Sequence, residues 1–146
     1  MTPEQLWRAF QETCHISQEE YEAWAFGCDA DGLAELVRRG EKTATSSLFL
    51  LYELEQEPLP QAGGYDVILD SKGQAVCVIQ TTKVYVVPFR QVPEEHARRE
   101  GEGDKSLAYW REVHQKFFAE ELKAEGLEFT EDMSVVCEEF QLVYKL

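Results

Sequence analysis

Tyr65-Asp66-Val67-Ile68-Leu69, then Asp70-Ser71-Lys72-Gly73, then the run from Gln74 to Val87 form the stretch that decides the fold class. Two β-branched and aromatic runs separated by an Asp/Ser/Gly turn read as a hairpin, and Pro88-Phe89 ends its second, long strand. Working outward, Gly63-Gly64 opens the strand-rich region and Pro58-Leu59-Pro60 breaks the apolar segment Leu48 to Leu54, which reads as a short helix. On the far side, Pro93 opens a short helix holding His96 to Arg99, and Gly101 and Gly103 mark a loop. Ser106 to Lys123 is an amphipathic helix with Leu107, Trp110, Val113, Phe117 and Leu122 on one face. Ser134 to Leu146 is the closing strand.

The front of the chain reads as helical. Thr2 caps a first helix, with Pro3 at its first position and Gln5 closing a capping box; Leu6, Phe10 and Cys14 follow at helical spacing. Ser17-Gln18-Glu19-Glu20 repeats the capping signal ahead of Tyr21, Trp24 and Ala25. Asp31-Gly32 precedes a third helix with Leu33, Leu36 and Val37 inward, and Gly40 stands where a helix C-cap glycine belongs. After it, Thr43, Thr45, Ser46 and Ser47 read as a polar turn. The fold class implied is α+β in a single domain, 1–146, with 1–39 as an N-terminal helical layer and a long helix before the last strand.

With 146 residues, 44% of them hydrophobic, the chain can bury a core, which excludes bulk disorder. Its 14 Lys and Arg stand against 28 Asp and Glu, a net −14 that excludes a generally basic nucleic-acid coat. Segments 34–49 and 83–116 each sum to +1 and escape the acidity, so they are where a site is sought. No apolar run approaches the ~20 residues of a membrane span. The start lacks a secretory pattern, and a cytoplasmic, reducing location is expected. Cys14, Cys28, Cys77 and Cys137 form no C-x-x-C pair, so a zinc site is not expected.

Three clusters carry potential chemistry. Gly40-Glu41-Lys42-Thr43-Ala44-Thr45-Ser46, preceded by Arg39, offers backbone N–H groups, hydroxyls and an ammonium at a helix end, where anions and carbonyls bind. His96-Ala97-Arg98-Arg99-Glu100-Gly101-Glu102-Gly103-Asp104 alternates acids with glycines like a cation loop but fails the EF-hand spacing. The expectation is no metal and no cofactor. Trp110-Arg111-Glu112-Val113-His114 places Trp110 and His114 on one helix face, as core or as the wall of a cleft.

Together these stretches resemble the ASCH family, which has a PUA-like small β-barrel fold. Gly40-x-Lys42-x-x-Thr45 matches its G-x-K-x-x-T signature. Glu100-Gly101-Glu102-Gly103-Asp104-x-Ser106-Leu107 and Tyr109-Trp110-Arg111-x-x-His114-x-x-Phe117-Phe118 are similar to its longer bacterial branch. The resemblance implies a cleft beside the signature turn. In a shorter branch, members hydrolyse the acetyl amide of N4-acetylcytidine with a lysine, a threonine and a glutamate. These correspond to Lys42, Thr45 and Glu100, the last within His96-Ala97-x-x-Glu100. Thr45 would attack, Lys42 would activate it, and Glu100 would move the proton to the leaving amine. Gly40, Arg39, Thr43, Ser46, Arg98, Glu102, Asp104, Trp110, Arg111 and His114 would contact the substrate. The expected partner is a nucleoside-like small molecule. A short single-stranded RNA, bound or cleaved, is the alternative, and requires Arg38, Arg39, Lys42, Arg90, Arg98, Arg99 and Arg111 to converge. A non-catalytic nucleotide or metabolite module is the third reading.

Overall fold

The structure, a computed structural model, describes residues 1–146. In chain order the elements are α1 (Pro3–Cys14), β1 (Glu22–Ala25), α2 (Ala30–Arg38), β2 (Ala44–Leu48), α3 (Phe49–Glu55), β3 (Tyr65–Leu69), β4 (Ala75–Pro88), α4 (Glu94–Glu100), α5 (Leu107–Ala124) and β5 (Ser134–Lys145). A short 3-10 turn, Phe89–Gln91, leads into α4. The strands order as β1-β3-β4-β5-β2, and the class is α+β, with a helix at the front and a long helix before the last strand. No helix is long and apolar enough to cross a membrane.

Two compact units divide the chain: Met1–Thr43 with Gln61–Lys83 and Phe140–Leu146, and Ala44–Pro60 with Val84–Glu139. The first unit holds the hairpin. Tyr65 pairs with Gln80 and Val67 with Val78, and the turn closes through Asp70, whose carboxylate accepts from the Lys72 and Gln74 amides. The capping box on α1 is present, Thr2 accepting from Gln5 N and Gln5 returning the bond to Thr2 N. Leu6, Trp7 and Phe10 of α1 pack on Val67 and Val78, while Cys14 is exposed. A second cluster joins Leu33, Ala34 and Val37 of α2 to Ile68, Cys77, Ile79 and Phe140.

Residues 1–39 are not wholly helical. The segment expected as a second helix, Ser17 to Ala25, ends in β1, which pairs in parallel with β3 from Glu22–Asp66 to Ala25–Leu69. Trp24 donates its indole N–H to Asp66 at 3.1 Å. Four strand pairings and that bond outweigh the weak helical spacing of Tyr21, Trp24 and Ala25, since a short isolated helix is marginal.

Thr43 to Ser47 is likewise not a turn: from Ala44, where the second unit begins, it is β2, running antiparallel to β5 with Ala44 opposite Glu139, Thr45 opposite Glu138 and Ser46 opposite Cys137. Leu48, Phe89, Val92, Ala97, Trp110, Phe118, Leu122, Val135 and Cys137 form this unit's core. The buried face of α5 is Trp110, His114, Phe118 and Leu122, so His114 takes the core position in place of Val113.

Candidate functional site

The turn after α2 ends as a Schellman motif: Glu41 N donates to Leu36 O and Gly40 N to Val37 O, with Gly40 at φ +78. That backbone carries Lys42 inward. Lys42 is 1% exposed, and its Nζ lies 5.3 Å from the Phe26 ring centroid, a cation–π contact. Thr43 is half-buried, and its carbonyl accepts from Phe140 N. Arg39 is exposed and paired with Glu41 at 2.8 Å.

The second unit assembles a polar cluster around Glu100. His96 and Glu100 are one turn apart on α4, both 1% exposed, and α4 ends on Gly101 at φ +69. Ser46 donates its hydroxyl to Glu100 Oε2 at 2.5 Å, and Trp110 donates its indole N–H to the same oxygen at 2.5 Å. His96 Nε2 lies 2.7 Å from Ser46 Oγ and 3.1 Å from Glu100 Oε2; His114 Nε2 lies 3.5 Å from that oxygen. A carboxylate in a dry core survives through such donors.

The protons can be placed. A backbone carbonyl only accepts, so His114 Nδ1, 2.9 Å from Trp110 O, carries its hydrogen. Burial pulls the His114 pKa down, but the Glu100 charge, the Glu100 bond and the Trp110 carbonyl together raise it above the ordinary value. Since Ser46 gives its proton to Glu100, its oxygen accepts from His96 Nε2–H. His96 Nδ1 is buried with no partner. This is not a serine–histidine–carboxylate triad. The carboxylate and the hydroxyl meet the same imidazole nitrogen, whereas a triad needs them on opposite ones. Glu100 contacts Ser46 Oγ directly, not through His96. Burial, helped by the Glu100 charge, pushes the thiol of Cys137, opposite Ser46, up to about 12, which disfavours the thiolate.

Parity along β2 separates the two candidate hydroxyls. Neighbouring strand residues point to opposite faces. Ser46 meets α4, and so do Val135, Cys137 and Glu139 of β5, through the apolar cluster and the Arg99–Glu139 pair. Thr45 therefore faces the other way, beside its register partner Glu138, which is 7% exposed. The structure brings Ser46, Glu100, Trp110 and His114 together and does not bring Thr45 to Glu100.

Other expected contacts are committed elsewhere. Arg98 and Arg99 pair with Glu95, Arg90 with Asp132, and Arg38 with Glu35. Arg111 donates to the Arg90 carbonyl. Asp104 is exposed; it accepts from Ser106 N, and its bonds to Ser106 hold its pKa below the ordinary value. Apart from Lys83, segment 83–116 lies in the more acidic unit, where 7 Lys and Arg face 17 Asp and Glu, a net −10. Glu100, Glu102 and His114 offer ligand atoms within 4.8 Å of one another, but Glu100 Oε2 is already taken up by Ser46 and Trp110.

Sequence reasoning names neither His96, which joins the Glu100 cluster, nor Glu138, which lies beside Thr45 on the other face, as a site residue. For His96 the usable signal is its i,i+4 spacing to Glu100 on a helix. For Glu138 the signal is a carboxylate within an apolar strand, and that alone names no partner.

The five-stranded α+β architecture, with β2 at one edge of the sheet, is that of a PUA-like fold. The chain belongs to the ASCH domain family, whose sequence model matches residues 22–144. An ASCH domain from Lactobacillus crispatus is 37% identical to it, covering 97% of this chain and 93% of that one with a TM-score of 0.89. A protein from Enterococcus faecalis is 40% identical, covering 96% and 86% with a TM-score of 0.88. An ASCH protein from Zymomonas mobilis, at 11% identity and a TM-score of 0.52 over 86% of this chain and 71% of that one, shares the fold alone. No curated protein matches the chain.

Proposed function

We propose that this protein is a hydrolase cleaving an acyl amide on a nucleoside, a substrate of the N4-acetylcytidine kind. Glu100 supports the reading most: a carboxylate 1% exposed, with Ser46 and Trp110 both donating to one of its oxygens. Burying a carboxylate costs several kcal/mol before its partners compensate, and a core that served packing alone would be apolar here. A base placed directly on a hydroxyl is what acyl transfer needs: it takes the hydroxyl proton during attack and returns it to the leaving amine. A small neutral nucleoside suits a unit of net −10, whereas an RNA strand would meet arginines already paired with carboxylates.

The test is conversion of N4-acetylcytidine to cytidine and acetate, followed by chromatography, with wild type and Glu100→Gln. Turnover that falls about 10²–10⁴-fold in Glu100→Gln is the expected result. Lys42→Ala and Thr45→Ala test the roles the family signature gives those residues. No turnover by folded wild type refutes the reading. Cleavage of single-stranded RNA instead would favour the ribonuclease reading.

A further inference from the structure

We infer that Ser46, not Thr45, is the nucleophile of the proposed acyl transfer, with Glu100 as its direct proton acceptor. The inference rests on the hydrolase reading and names the attacking atom within it. Both hydroxyls lie next to each other on β2, but strand parity sends them to opposite faces. Ser46 Oγ is 2.5 Å from Glu100 Oε2 and donates to it, so the proton already points along the path it must take. His96 Nε2–H, at 2.7 Å, donates to the same Oγ. It holds the serine rotamer and leaves its remaining lone pair for attack.

The order of burial fits as well. Glu100 and His96 are sealed, with side chains 2% and 0% exposed, while Ser46 is half-buried. A nucleophile must be reachable and its base must stay dry, and the cluster is layered in that sense. Trp110 N–H and the imidazole of His114 hold the carboxylate oxygen that does the work.

The step balances without a further reagent. Ser46 Oγ bonds to the acyl carbon as its proton passes to Glu100. The C–N bond breaks, and Glu100 gives that proton to the departing amine. Water then attacks the acyl-serine ester, passing one proton to Glu100. The carboxylic acid leaves and Glu100 returns the proton to Ser46 Oγ. The sum is amide plus water giving amine plus acid.

The experiment is acyl trapping. Wild type, Ser46→Ala, Ser46→Thr and Thr45→Ala are mixed with p-nitrophenyl acetate and, separately, with N4-acetylcytidine. Samples are quenched in acid and read by intact mass and peptide mapping, with thermal melts as the folding control. Acetylation maps to Ser46, disappears in folded Ser46→Ala, and persists in Thr45→Ala. Turnover in Ser46→Ala falls at least about a hundredfold, and Ser46→Thr restores part of it. An adduct on Thr45 with Ser46 unmodified overturns the inference. So does full N4-acetylcytidine turnover by Ser46→Ala. Acetylation of Ser46 by the activated ester with no hydrolysis of N4-acetylcytidine sinks the substrate reading and leaves the nucleophile assigned.

Discussion

Trp110→Phe is the sharpest probe of the Glu100 cluster. The indole N–H donates to Glu100 Oε2 where both residues are nearly sealed, at 2% and 1% exposure. The six-membered ring of phenylalanine retains contact with Phe89 and His114, whose centroids lie 5.1 and 4.4 Å from that of Trp110, but cannot donate. Losing a hydrogen bond to a buried charge costs about 1.5–3 kcal/mol. Losing the pyrrole part of the ring adds about 1 kcal/mol of burial and packing. The sum, ~2.5–4 kcal/mol, is read by urea denaturation followed by far-UV circular dichroism, with an unchanged m-value. It corresponds to a Tm lower by ~5–15 °C in a chain of this size. A cycle with Glu100→Gln isolates the charged part: a neutral partner makes the bond worth ~1 kcal/mol less, so the two substitutions couple by about 1 kcal/mol. A cost for Trp110→Phe below ~1 kcal/mol, or a coupling within ~0.3 kcal/mol of zero, would refute the view that Glu100 is an ionised carboxylate held by this donor.

Other perturbations test separate links. His114 has a folded pKa raised above its unfolded value, so its stabilising contribution is full below about pH 6.5 and is lost as pH rises through the folded pKa; an imidazole NMR titration should place its midpoint above 6.5, and His114→Gln should flatten the loss of stability over that range. Gly40→Ala costs ~1–2 kcal/mol from backbone alone, because φ is +78 and nothing lies within 4 Å of the new methyl; chemical denaturation measures it, and Gly40→Asn should cost less. Gly103→Ala adds a clash to the same left-handed penalty, its methyl falling 2.5 Å from the Tyr109 ring, so it should destabilise more than Gly40→Ala and shift the Tyr109 ring resonances. A thiol reagent should label exposed Cys14 and Cys28 in the native protein, and Cys77 and Cys137, both pushed up to about 12 by burial, only after unfolding.

Elements that rest on local chemistry were legible in the sequence. The α1 capping box, the β3–β4 hairpin with its Asp70 turn, and the reach of α5 follow from caps, turn residues and periodicity. What failed depends on partners distant in the chain. Glu22–Ala25 is a strand because Asp66–Leu69 lies beside it, and Ala44–Leu48 is a strand because Val135–Glu139 does. The face of α5 failed for a chemical reason. Hydrophobic periodicity ranks Val113 above His114, but Glu100 and the Trp110 carbonyl satisfy the imidazole and make its burial tolerable.

The candidate site was legible as a set of residues but not as a geometry. The family signature drew attention to the turn at Gly40 and to Glu100, yet the residue it marks, Thr45, and the residue bonded to Glu100, Ser46, differ by one position. On a strand, one position is the difference between two faces. Reading Thr43 to Ser47 as a turn removed the parity that distinguishes them, so the error in secondary structure became an ambiguity in chemistry. Once β2 is a strand with a fixed register, each hydroxyl has its own carboxylate: Ser46 bonds Glu100, and Thr45 stands opposite Glu138. The two pairs respond differently to substitution. Glu138→Gln alters the face that Thr45 shares and leaves the Ser46–Glu100 bond in place, while Glu100→Gln removes the base from Ser46 alone. If acyl transfer survives the first change and not the second, Glu138 is excluded as the base, and comparing Ser46→Ala with Thr45→Ala then decides which hydroxyl attacks. The opposite pattern would return the role to Thr45.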